Sequence, residues 1–163
     1  LADETTSEDI TINDIMQKYV PNKLRGLRLL VLMACSTGGV PKTEKQSLKI
    51  VSEPQEGTLA HAFRQAKVQC VVYTLDTIYW ISVTSFMNDF WPIATKIKYY
   101  PESSKKLSPS PPGITMTISV QQAVVRTIQK IADALVNQTG WSALIIARDI
   151  TLIRVAGDTK LAP

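Results

Sequence analysis

The chain has 163 residues, 45% of them hydrophobic and 20% charged, with a formal net charge of +4 at pH 7. That length and balance fit one globular domain with a real core, and no uninterrupted apolar run of about 18 residues offers a membrane span. Two cysteines exclude a disulfide framework and make a reducing cytoplasm the expected home. Lysines scattered over 42–49, 96–98 and 105–106 have no aromatic residues interleaved, so they read as a solvated face rather than a nucleic-acid surface. The start carries no basic-then-apolar leader, and opening on Leu1 rather than Met reads as a processed product, an artificially trimmed chain or a piece of something longer.

Residues 1–9 are acidic and polar and read as a loose lead-in. Thr11 fits a helix N-cap, with Asp14 in a capping-box-like position. Ile12, Ile15, Met16 and Tyr19 then share one helical face, and Pro21 ends the helix. Leu24 to Cys35 is a nearly continuous aliphatic run that reads as a strand buried on both faces. It delivers Cys35 to the carboxyl edge, where open α/β sheets gather their chemistry. The small residues Ser36-Thr37-Gly38-Gly39 leave the thiol uncovered and let the N–H groups of Cys35 and Ser36 face a bound carbonyl. A buried cysteine acting as a small hydrophobe fits the same pattern.

Residues 36–56, with Gly38, Gly39, Pro41 and Pro54, read as a surface loop, placed to border a substrate groove and equally compatible with a long mobile connection of no role. Leu59, Ala62, Phe63 and Ala66 form the apolar face of a short helix, with His61, Arg64 and Gln65 opposite. Residues 68–75, which include Cys70, form the next buried strand, and Asp76 lies just past its end. From Trp80, the spacing of Val83, Phe86 or Met87, Phe90 and Trp91 predicts an amphipathic helix broken by Pro92. Residues 96–113 read as a mobile Pro-rich insertion within the one domain. Ser119 and Gln122 form a capping box for a helix carrying Val124, Ile128, Ile131 and Leu135, which Gly140 terminates. Ala143–Ala147 and Ile150–Val155 both read as strands. The alternation predicts an α/β layer architecture with a mainly parallel sheet, whose remaining strands come from elsewhere.

Three stretches together carry a family resemblance. Leu29-Leu30-Val31-Leu32-Met33-Ala34-Cys35-Ser36-Thr37-Gly38 resembles the nucleophile strand of CHAT-family peptidases, the caspase-like group related to separase. Gly57-Thr58-Leu59-Ala60-His61-Ala62-Phe63, followed by Ala66 and Val71-Val72-Tyr73-Thr74-Leu75, is similar to the helix and strand that come next in that family. Ile10-Thr11-Ile12 with Asp14-Ile15, and Asp149 to Ile153, match its preceding helix and closing strand more loosely. The resemblance implies a caspase-like three-layer sandwich, of which residues 1–163 are the C-terminal portion. It also implies a cysteine endopeptidase without cofactor or metal, in which Cys35 attacks the peptide carbonyl.

The family's base is a histidine in a His-Gly pair upstream of the nucleophile, and this chain holds no such pair. His61, the single histidine, sits on a solvent-facing helix surface and reads as a surface residue rather than a substitute. The resemblance therefore assigns the base to an upstream or separate N-terminal fragment. Asp76 and Thr77 stand where family members that cut after a basic residue place an acidic first-subsite group. The family's Trp-Asp-Val turn is replaced by Asp76-Thr77-Ile78. A turn-capping Asp76 is the plainer reading of the same residue. The expected partners are a peptide or protein substrate and a helical-repeat regulatory region. Nucleic acid enters only indirectly, through the regulation some members have in bacterial defence. The alternatives are an inactive caspase-like scaffold, or a small-molecule domain using Ser36–Gly39 as an anion-holding turn.

Overall fold

The computed structural model describes residues 11–19, 24, 26–39, 49–97, 114–116 and 118–160. The expectations for 1–9, Pro21, residues 40–48 and residues 98–113 fall outside the described residues. Helix α1 (Ile12–Tyr19) begins at the expected cap. The Thr11 N–H donates to Asp14 Oδ2 at 2.9 Å and the Asp14 N–H to Thr11 Oγ1 at 3.1 Å, satisfying two end donors reciprocally. These bonds hold the Asp14 carboxyl below its ordinary value.

Strand β1 (Leu29–Val31) is shorter than the aliphatic run predicts, although the Leu32 N–H extends the ladder to Val72 O at 2.7 Å. Its side chains alternate as a strand requires. Leu29, Val31 and Met33 meet one apolar cluster, and Leu30 and Leu32 meet the other. Both faces are covered, yet β1 stays half-buried because it is an edge strand among the described residues. The backbone groups of Leu29, Val31 and Met33 point away from its neighbour, given the alternation of a parallel ladder.

Helix α2 (Leu59–Gln65) follows, capped by Thr58, whose hydroxyl accepts from the His61 N–H. Strand β2 (Cys70–Thr74) is fully buried and pairs in parallel with β1, Leu30 opposite Val71. Strand β5 (Ile153–Gly157) lies on its other side, antiparallel, with Val72 opposite Val155. The sheet is thus mixed rather than mainly parallel. The chain re-enters it from the carboxyl edge, where the Leu75 N–H donates to Leu152 O at 3.0 Å, and so runs back against β2. Residues 50–52 cover the far side of β5 through Ser52 N–H to Val155 O and Val155 N–H to Ile50 O.

Three helices cover one face of the sheet: α3 (Trp80–Ala94), α4 (Val120–Leu135) and α5 (Trp141–Ile150). Phe86 and Phe90 stack there at 5.2 Å among Val72, Val124 and Ile146. Helix α2 covers the other face, with α1 against it, and the result is three layers. Helix α3 runs through Pro92 to Ala94, because burial of Phe90 and Ala94 outweighs one missing helical hydrogen bond. The segment Ala143–Ala147 is helical, correcting the strand reading. Ala143, Ile146 and Ile150 bury one face at helical spacing while Trp141 and Leu144 face out. Gly140 consequently caps the start of α5, and α4 ends earlier, at Leu135. Strands β3 (Thr95–Ile97) and β4 (Ile114–Met116) pair antiparallel, so 96 and 97 belong to a strand rather than to the linker.

Candidate functional site

The predicted nucleophile Cys35 stands exposed in a turn that leaves the carboxyl end of β1. The turn is stitched to the adjacent end of β2 by two buried threonines. Thr37 donates to Leu32 O at 3.2 Å, Thr74 donates through its hydroxyl to Ala34 O, and the Thr74 N–H donates to Thr37 Oγ1 at 3.0 Å. The Gly38 N–H adds a bond to Thr74 O at 2.9 Å. These bonds satisfy a loop that passes under the surface, as buried backbone requires.

Glycine is mandatory at position 38. A Cβ there would lie 1.9 Å from Cδ2 of Tyr73, whose ring is fully buried and whose hydroxyl donates to Ser52 O at 2.8 Å. Burial pushes the Tyr73 hydroxyl above its ordinary value, with the Ser52 bond opposing. Ser36 takes φ +52°, the left-handed region that non-glycine residues adopt at a cost of about 1–2 kcal/mol. The Cys35 thiol donates to Ile78 O at 3.8 Å. The Cys35 N–H has no acceptor among the described residues, whereas the Ser36 N–H donates to Asp76 O at 3.2 Å. Of the two predicted oxyanion donors, the Cys35 amide is open and the Ser36 amide is engaged.

Asp76 and Thr77 do come beside this turn, in the loop after β2. Asp76 Oδ1 accepts from the Thr77 N–H at 2.7 Å, and Oδ2 lies 3.6 Å from Nη2 of Arg148. The carboxylate is therefore both a turn cap and half of an ion pair, and it remains half-exposed. Thr77 is exposed. His61 lies on helix α2, bonded within that helix. Its ring lies 3.4 Å from Nε2 of Gln65, and it makes no hydrogen bond to Cys35. Among the described residues no three His, Cys, Asp or Glu side chains gather as a metal site, and no helix is long and apolar enough to cross a membrane. The second thiol, Cys70, is buried in β2, and burial pushes it from 9.0 up to about 12, which leaves it unreactive at neutral pH.

Sequence reasoning missed Asp149. It is 1% exposed, near the end of α5, and its Oδ2 accepts from the Tyr79 N–H at 2.8 Å and from the Ser82 hydroxyl at 2.7 Å. Its Oδ1 accepts from Arg148 Nη1 at 3.2 Å. One carboxylate thus fixes the start of α3 and, through Tyr79, the Ile78 carbonyl that faces Cys35. The available signal was a lone acid three residues after Ile146, on the apolar face of that segment. Comparison of the chain with protein-family models and with curated proteins finds no match in either.

Proposed function

We propose that Cys35 is the nucleophile of a cysteine endopeptidase whose base comes from polypeptide outside this chain, in a caspase-like three-layer fold. The observation that carries this reading is an exposed thiol on a backbone-strained turn, beside a Cys35 N–H with no acceptor among the described residues, at the carboxyl edge of a parallel strand pair. An imidazole from an N-terminal fragment takes the thiol proton, and the thiolate adds to the peptide carbonyl. The oxyanion rests on the Cys35 and Ser36 N–H groups and a donor of the partner fragment. Collapse breaks the C–N bond, the imidazolium protonates the leaving amine, and water then cleaves the thioester to release the acid and restore the thiol. Asp76 is the residue that pairs with a basic side chain before the scissile bond in this reading, displacing the Arg148 it now holds. Both cysteines are free, which supports a reducing, cytoplasmic setting.

The inactive-scaffold reading draws on the same site: Arg148 already holds Asp76, and no described imidazole bonds to Cys35. A peptide acyloxymethyl ketone with arginine next to the warhead separates the two. It is applied to the chain together with the sequence encoded ahead of Leu1. Peptide mapping should find the adduct on Cys35 and none in Cys35→Ala. Absence of that adduct, while iodoacetamide still modifies Cys35, overturns the peptidase.

A further inference from the structure

We infer that the loop from Leu75 to Tyr79 is a latch that holds the Cys35–Ser36 turn in a resting state, with the Arg148–Asp76 ion pair as its catch. This inference rests on the peptidase reading of Cys35 and names how that site is restrained. Two carbonyls of the loop occupy two donors that an attacking centre has to present to its substrate. Ile78 O accepts from the Cys35 thiol at 3.8 Å and Asp76 O accepts from the Ser36 N–H at 3.2 Å. A thiol bonded to a carbonyl has its hydrogen turned away from any incoming base, and a filled amide gives nothing to an oxyanion.

The loop keeps this position because one end is tied to α5 and the other to the turn that follows it. Leu75 N–H bonds to Leu152 O at 3.0 Å, next to the end of that helix, and Tyr79 N–H bonds to Asp149 Oδ2 at 2.8 Å. Between them Asp76 is bridged by Arg148, which also reaches Asp149. The Asp149 anchor is buried, but the Asp76–Arg148 bridge is half-exposed on both sides, so it is the part a ligand can replace. A cationic peptide side chain that pairs with Asp76 displaces Arg148, lets the 76–78 carbonyls turn away, and frees the thiol and the Ser36 amide together. Arg148 and Asp149 are positioning residues in this scheme, because neither touches the sulfur.

The test uses the 163-residue chain, with iodoacetamide as the probe of Cys35 and amide hydrogen exchange as the probe of Ser36. In Arg148→Gln, alkylation of Cys35 should quicken roughly fivefold, about one net hydrogen bond, and Ser36 exchange should quicken with it. Excess N-acetyl-arginine amide should reproduce the effect in the unmodified chain. Unchanged alkylation and exchange in Arg148→Gln overturns the latch. So does a rise in which Val72 and Phe90 amides quicken in step, since the whole core has then loosened. Alkylation needs neither base nor proteolysis, so a failed latch and a failed peptidase give different results.

Discussion

Replacing Asp149 by alanine tests the physical centre of this arrangement. The carboxylate is 1% exposed, and its Oδ2 accepts from the Tyr79 N–H at 2.8 Å and the nearly fully buried Ser82 hydroxyl at 2.7 Å. Hydrogen bonds to a charged group contribute about 1.5–3 kcal/mol each, and their loss leaves two donors without an acceptor. The half-exposed Arg148 adds little, because water screens it. Relief from burying the carboxylate offsets part of the sum, which leaves a loss of about 3 kcal/mol. For a domain of this size that lowers Tm by about 6–12 °C. Thermal unfolding followed by far-UV circular dichroism reads the shift directly. Asp149→Asn keeps one oxygen acceptor and should lose about half as much. A fall of under about 2 °C in Asp149→Ala would refute the claim that this carboxylate organises the start of α3.

Gly38→Ala should cost about 2–4 kcal/mol, since the added Cβ meets the Tyr73 ring at 1.9 Å and neither the ring nor the loop has room to retreat; urea unfolding measures it, and a loss below about 0.5 kcal/mol counts against the packing. Cys70 gives a pH dependence. Its folded value is raised from 9.0 to about 12, so the stability it contributes is whole below about pH 9 and is lost as pH climbs towards 12, by up to about 4 kcal/mol. Urea midpoints at about pH 8 and about pH 10.5 should diverge less in Cys70→Ala than in the parent, and equal divergence would sink the assignment. Ser119→Ala removes the hydroxyl that accepts from the Gln122 N–H at 3.1 Å and should cost about 1 kcal/mol, visible in the same assay.

Local signals survived the passage from sequence to structure, and distant ones did not. Thr11 with Asp14 and Ser119 with Gln122 start their helices as written, because a cap is a contract among four neighbouring residues. The strand around Cys70–Thr74 was legible from its β-branched run, and the exposed turn at Cys35 from the small residues after it. Ala143–Ala147 was misread because five apolar residues fit either period, and only the core packed beneath α5 chooses between them. The direction of β5 depends on where α5 ends in space, which no local pattern carries. Asp149 answers to Tyr79 and Ser82, about seventy residues earlier in the chain, and its role had no neighbour in sequence to announce it.

The side of β1 that no described strand covers bears on how crowded a solution this protein tolerates. Leu29, Val31 and Met33 turn their peptide groups outwards between aliphatic side chains on both faces, and Leu29–Met33 contains none of the lysine, proline or bulge that guards a sheet margin. Such a seam adheres to whichever extended segment meets it first. The order of encounter, a companion strand or another copy of the same molecule, therefore decides between a dispersed protein and a growing aggregate.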